Sequence, residues 1–318
     1  MSSLEIDKPC IFVTSAGRTA TRFISELIEL AIPDCYSDQE PDVWRLDSVI
    51  IDFKKNYPEF LRKIRDFGLF NMTLGKITPC GNLRGLSAAR QMGKISDNKA
   101  SKILFEFRNR FLSRLEHSIY AECNLQVVGL IDIIPTVFPN SKTVFIIRDG
   151  RDWVRSSCNG YFAPYSIGDP VRFFPGSRPS SKRCLGDPFS DRWESFSRFQ
   201  KLCWYWRKHA QYALETLPKN SNSKIIKYEK LFDNSKHIEE MTSLLEYLTC
   251  FPDGNKFNFK YDGELKTAKF HESRKNTFPK WMDWSQQKVD QFQEICGDLM
   301  EKLEYGQEPE WQKKLTVN

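Results

Sequence analysis

The residues able to do chemistry gather in two places along this chain. In Val144-Phe-Ile-Ile-Arg-Asp-Gly-Arg-Asp-Trp-Val-Arg-Ser-Ser157 four apolar residues run into a charged turn, and an amphipathic stretch ending in hydroxyls follows. That order predicts a buried parallel strand whose C-terminal end delivers Arg148 and Arg151 to a helix N-terminus. Open α/β sheets bind ligands at that edge, and helix N-termini favour anions. Arg148 and Ser156 lie eight residues apart, so a turn and about one helical turn can aim both at one phosphate. A strand-turn-helix carrying only a surface salt-bridge network would show the same pattern. A second segment decides between the two.

That segment is Ile11-Phe-Val-Thr-Ser-Ala-Gly-Arg-Thr-Ala-Thr-Arg-Phe-Ile24. An apolar strand again enters a small-residue loop, and a helix follows with Phe23, Leu27 and Ala31 on one face and Pro33 as its stop. Gly17, Thr19, Ala20 and Thr21 are small or hydroxylated. Backbone N–H groups can therefore approach phosphate oxygens while Arg18 neutralises them. The layout is that of a P-loop without its Gly-Lys-Ser/Thr ending.

With both segments in view, the chain resembles the sulfotransferases that use 3′-phosphoadenosine-5′-phosphosulfate (PAPS). Gly17-Arg-Thr-Ala-Thr-Arg-Phe23 is similar to the family's 5′-phosphosulfate loop. Arg148-Asp-Gly-Arg-Asp152 with Ser156 is similar to its 3′-phosphate segment. Lys227-Tyr-Glu-Lys-Leu231 resembles the element whose Tyr lies by the adenine, here Tyr228. Arg274-Lys-Asn276, with Trp281 seven residues after Arg274, resembles the late Arg-Lys-Gly segment and its downstream Trp. The four motifs stand in family order from residue 11 to about 284 and so cover nearly the whole chain. Ala20 and Asn276 stand where Gly is usual, and Arg22 replaces a hydroxyl residue. A φ above zero at Ala20 would cost strain, whereas Asn tolerates the left-handed region better than most residues.

The resemblance implies a P-loop-like three-layer α/β/α fold with a central, mostly parallel sheet and a helical insertion. It also implies PAPS as donor and 3′-phosphoadenosine-5′-phosphate as product. Sulfuryl transfer should follow the logic of phosphoryl transfer, an in-line displacement in which the protein supplies positioning and electrostatics. Arg18 is then expected at the leaving group, helped by Thr19, Thr21 and the loop amides. Arg148, Ser156, Arg274 and Lys275 are expected on the 3′-phosphate. Arg151 and Arg155 are assigned to structural or surface roles. No divalent metal is expected, since no His/Cys cluster offers one a site.

The acceptor hydroxyl or amine needs a general base. The four histidines are His117, His209, His237 and His271. The small-molecule branch of the family carries a base His between the insertion and the 3′-phosphate strand. In this chain Val127-Val-Gly-Leu-Ile-Asp-Ile-Ile-Pro135 contains none, and Asp132 is its only acid. Other branches use a Glu shortly after the first helix, often just before Pro. Gln39-Glu40-Pro41-Asp42, about 22 residues beyond Arg18, matches that arrangement. Glu40 is the expected base and Asp132 the second choice.

These residues need a scaffold to meet. Short apolar strands are expected at Cys10–Thr14, Gln126–Val128, Thr143–Ile147 and Lys224–Lys227. A helical insertion should occupy residues 44–123, with Ile103, Phe107, Phe111, Leu115 and Ile119 as a late apolar stripe. Residues 160–192, rich in Pro and aromatics, read as a lid or acceptor wall. Trp193 to Leu217 reads as a long helix. Ser285 should cap the last long helix, whose buried stripe is Val289, Phe292, Ile295, Leu299 and Leu303.

The 318 residues carry no Gly/Ser linker, low-complexity tract or internal repeat, which points to a single domain over 1–318. Nine scattered cysteines without a Cys-x-x-Cys pair suit reduced thiols in a cytoplasmic setting. No signal pattern or membrane-spanning run is present. The net charge of +6 suits a polyanionic nucleotide and is too diffuse for DNA or RNA. The expected partner is a small-molecule or glycan acceptor. An ATP-dependent P-loop kinase or NTPase is disfavoured by the missing Gly-Lys-Ser/Thr. A non-catalytic nucleotide-binding protein of the same fold is the remaining alternative.

Overall fold

Cys10-Ile-Phe-Val-Thr14 is buried at every position because both of its faces are covered. In the computed structural model, which describes residues 4–43, 53–169, 171, 178–233, 235–263 and 277–316, this strand (β1) is the middle of a five-stranded sheet. Its neighbours are β2 (Cys35–Gln39), β3 (Ile119–Cys123), β4 (Ser141–Ile147) and β5 (Ser223–Lys227), in the order β2-β3-β1-β4-β5. All pairings are parallel, so every C-terminal strand end lies along one edge.

Alternate residues of each strand feed two cores. Ile11, Val13, Ala121, Val144 and Ile146 pack with α1 (Thr21–Ala31). Phe12, Tyr120, Phe145 and Ile147 pack on the other face. There they meet helices from the insertion, α2 (Phe53–Phe67), α3 (Leu83–Gln91) and α4 (Asp97–Leu112). Next come α5 (Gly150–Cys158), α6 (Arg198–Thr216) and, back on the α1 face, α7 (His237–Leu248). Helices α8 (Gln286–Lys302) and α9 (Pro309–Thr316) close the chain. The result is a three-layer α/β/α arrangement around an all-parallel sheet.

Three sequence expectations need correction. Gln126–Val128 is part of a 3₁₀ turn, Leu125–Leu130, capped by Asn124, whose side chain accepts from the Gln126 amide. The strand lies just before it, at Ile119–Cys123. The apolar stripe placed through Ile119 therefore stops with α4 at Leu112, and Ile119 belongs to the sheet. The helix expected from Trp193 starts at Arg198, where Ser197 and Gln200 form a reciprocal capping box. Ser285 stands at the N-cap position of α8 but its side chain makes no capping hydrogen bond, while Val289, Phe292, Ile295, Leu299 and Leu303 are buried as expected. All nine cysteines are free thiols. Among the described residues no helix is long and apolar enough to cross a membrane.

Candidate active site

The loop after β1 is built by its own hydroxyls. Ser15 Oγ accepts from the Gly17 amide at 2.9 Å and from Thr19 Oγ1 at 2.6 Å, both buried. Outside bonds fix its carbonyls: Trp153 Nε1 donates to the Gly17 oxygen at 2.7 Å and Arg148 donates to the Arg18 oxygen at 3.0 Å. Gly17, Arg18 and Ala20 adopt left-handed backbone, with φ of 95°, 57° and 56°. For Arg18 and Ala20 that conformation costs about 1–2 kcal/mol per residue. Ala20, at the position where Gly is usual in the resembled loop, thus takes up the very strain its Cβ makes unfavourable. A tight turn of such residues presents successive N–H groups to one side, a concavity suited to an anion. Thr21 follows as the first residue of α1.

Arg148 follows β4, and Asp149 caps α5 by accepting from the Arg151 amide at 2.8 Å. Ser156, two turns into α5, accepts from Arg18 Nε at 3.1 Å, and its carbonyl accepts from the same guanidinium at 3.0 Å. The Arg148 guanidinium sits 4.7 Å above the Tyr228 ring. Arg18, Arg148, Ser156 and Tyr228, distant in sequence, are thereby drawn together at one strand edge. Burial, and then the charge of Arg148, lowers the Arg18 pKa. Holding two guanidinium groups this close favours an anion between them.

Beside them opens a cleft of about 250 Å³ lined by Arg148, Asp152, Arg155, Lys280, Trp281 and Met282. Trp281 is held by Arg151, 4.5 Å from its ring, and by the edge of Trp311. Arg151 is itself buried, paired with Asp149 and Glu308, and so has the structural role expected of it. Arg155, expected with Arg151 in a structural or surface role, lines the cleft. Arg22, whose place in the loop the sequence leaves open between the sulfonate and solvent, lies on the exposed side of α1 and donates to Glu26 one turn on, at 3.0 Å. Arg274, Lys275 and Asn276 lie outside the described residues.

The expected base sits two strands away on the same edge. Glu40 directly follows β2, its amide donating to the Cys123 carbonyl at 3.2 Å. Lys63 fastens the turn beyond it through the Pro41 and Val43 carbonyls, both at 2.9 Å. Beneath lies a buried polar net. Glu122 accepts from Arg108, Tyr120 and Asn124, while Arg108 and Asn124 also reach Asp42. The Asn124 carbonyl in turn accepts from Thr14 at the end of β1, at 2.7 Å. One net therefore couples the Glu40 turn to the start of the phosphate-type loop.

Tyr205 is stacked on Trp153 at 5.8 Å. Burial chiefly raises the Tyr205 pKa, and the charge of Glu40 is among the smaller contributions. Asp132 does not join this group. Arg90 pairs with one of its oxygens and the Tyr212 hydroxyl donates to the other at 2.8 Å, which engages the carboxylate in packing the insertion. His209 is fully enclosed, with Nδ1–H directed at the Tyr205 carbonyl 2.8 Å away, and burial lowers its pKa to about 4.

No protein-family model and no curated protein sequence matches the chain. Among solved structures, a sulfotransferase from Mycobacterium avium superposes over 94% of this chain and 78% of its own, with TM-score 0.52 and 13% identity. The chain has a sulfotransferase fold. A sulfotransferase from Alicyclobacillus acidocaldarius aligns over 96% and 100% of the two chains at 14% identity and TM-score 0.43. The sulfotransferase domain from the curacin biosynthetic pathway does so over 98% and 97% at 12% identity and TM-score 0.41. At these identities the likeness is one of fold, and residue roles rest on the geometry above. Sequence reasoning missed Arg155, Lys280 and Tyr205. Arg155 had a signal, since it shares a helix face with Asp152 three residues earlier. Lys280 and Tyr205 had none.

Proposed function

We propose that this protein transfers a sulfuryl group from PAPS to a hydroxyl or amine of a small-molecule or glycan acceptor. The observation that carries the reading is the convergence of Arg18, Arg148 and Ser156 at one strand edge, with Tyr228 beneath Arg148. The residues suit a nucleotide with two phosphate groups. The Nε atoms of Arg148 and Arg155 are buried without a hydrogen-bond partner, and a left-handed turn such as Gly17–Ala20 can offer backbone amides to a second anion. When bound, PAPS would supply the activated sulfonate.

Gly17, Thr19, Ala20 and Thr21 would hold the 5′-phosphosulfate through the loop. Arg18 would release Ser156 and meet the charge that develops on the leaving phosphate, a preorganised electrostatic role. Arg148 and Ser156 would hold the 3′-phosphate, and Tyr228 and Trp281 would flank the nucleotide. Glu40 would take the acceptor proton. None of these roles calls on a metal.

Calorimetry with 3′-phosphoadenosine-5′-phosphate and AMP tests the site. Arg148→Ala should weaken the first by about 10-fold or more beyond its effect on AMP. Equal losses on both would overturn the assignment. Labelled PAPS offered with phenols, sterols, sugars and amines tests the transfer itself. Binding with no turnover on any acceptor would favour a non-catalytic nucleotide-binding protein.

A further inference from the structure

Helix α5 carries Arg155 one turn beyond Asp152, on the face that looks into the Arg148 cleft. Lys280 enters from the opposite wall, just before the 3₁₀ turn Trp281–Asp283. Both walls are braced. Arg151, buried beneath Trp281, ties the base of α5 to Glu308, and Trp281 also abuts Trp311. Arg155 and Lys280 form no salt bridge among the described residues. Arg155 Nε is buried with no partner, as is Arg148 Nε. Burying guanidinium nitrogens unpaired is costly. Three cations face one carboxylate, Asp152, across a space large enough for a phosphate group.

We propose that Arg155 and Lys280 complete the 3′-phosphate site with Arg148, three cations closing on one phosphate from two walls. The assignment rests on the PAPS reading above and adds to it two residues that the sequence motif does not mark. Asp152 sets the affinity from below, because its negative charge opposes the same phosphate. Arg155 can present a planar fork of donors, while Lys280 acts as a point charge. The site would thus discriminate a 3′-phosphorylated nucleotide by charge count as well as by the Arg148 contact.

The test is calorimetric binding of 3′-phosphoadenosine-5′-phosphate and of AMP to the wild type and to Arg155→Gln, Arg155→Lys, Lys280→Gln and Asp152→Asn. Arg155→Gln and Lys280→Gln should each weaken the 3′-phosphorylated nucleotide by about 10-fold or more, leaving AMP within about 2-fold. Arg155→Lys should recover part of the loss. Asp152→Asn should strengthen 3′-phosphate binding several-fold, a gain that no purely structural role of the cleft provides. Lys280 is exposed, so its variant reports on the site even should Arg155→Gln disturb α5. If the wild type prefers the 3′-phosphorylated nucleotide while both Gln variants keep that preference, the three-cation site is refuted and the PAPS reading stands. If the wild type shows no preference, the PAPS reading itself falls.

Discussion

Glu122→Gln replaces one oxygen by an amide nitrogen at a carboxylate with no solvent exposure. Oε1 accepts from Arg108 and Asn124, each at 2.6 Å. Oε2 accepts from Arg108 Nε at 2.8 Å and from the Tyr120 hydroxyl at 2.6 Å. With its NH₂ at the Oε1 position the amide meets two donors, Arg108 and Asn124; at the Oε2 position it still opposes Arg108 Nε, while the Tyr120 hydroxyl can turn to accept. Arg108, 1% exposed, keeps Asp42 at 3.4 Å as its remaining anionic partner. Removing one member of a buried pair costs about 3–5 kcal/mol. With about 2.1 cal/mol/K of unfolding entropy per residue, the 318 residues give about 0.7 kcal/mol/K, so Tm should fall by about 4–8 °C. Arg108→Met should cost a similar amount, because it strands the Glu122 charge. The double variant should cost less than the sum of the singles by at least about 1.5 kcal/mol. Urea and thermal melts of the three variants measure this. Additivity within about 0.5 kcal/mol, or a Glu122→Gln melt unchanged from wild type, would refute the account.

The pH dependence has a definite sign. Burial alone would raise the Glu122 pKa, but the charge of Arg108 and the hydrogen bonds it receives outweigh this and hold it below the ordinary value. The stabilisation is therefore present above the unfolded carboxylate pKa and is lost as pH falls through the folded one. Glu122→Gln should flatten the acid side of the stability curve.

Two further outcomes follow from the site and its surroundings. Glu40→Gln should leave nucleotide affinity intact while turnover drops by about 10²–10⁴-fold, and unchanged turnover would dismiss Glu40 as the base. His209, held near pKa 4 by burial, must take up a proton on unfolding once pH drops below the unfolded imidazole value of about 6.5. Its contribution is complete above that pH and fades by about 3 kcal/mol as pH approaches 4. His209→Phe, which keeps an aromatic ring against Tyr205, should remove this slope from melts between pH 7 and 4.5. An identical slope in variant and wild type would show that His209 is not its source.

The strands at Cys10–Thr14 and Ser141–Ile147 were legible because parallel strands buried on both faces leave near-continuous apolar runs. The strand at Ile119–Cys123 was not, since Glu122 interrupts its pattern and its charge is answered by Arg108, fourteen residues earlier on α4. The adjoining Val127 and Val128 imitate a strand, yet they lie in a turn pressed against α3. A Cβ on Gly129 would come 2.3 Å from the Ser87 carbonyl there. β2, with the polar sequence Cys-Tyr-Ser-Asp-Gln, gave no apolar signal either.

The candidate site divides along the same line. By itself the sequence determined the two strand-loop-helix segments that carry the candidate residues, because an apolar strand, a small-residue or charged turn and a helix start are local features that local geometry enforces. Only the tertiary structure decided how they meet: Arg18 on Ser156 and Arg148 on the Arg18 carbonyl. It alone paired Asp132 with Arg90 and Arg22 with Glu26, and set Arg155 and Lys280 on one cleft. The physical reason is that a charged side chain's role is set by which other charges share its low-dielectric surroundings. Those partners come from strand order and helix packing, which spacing along the chain does not encode.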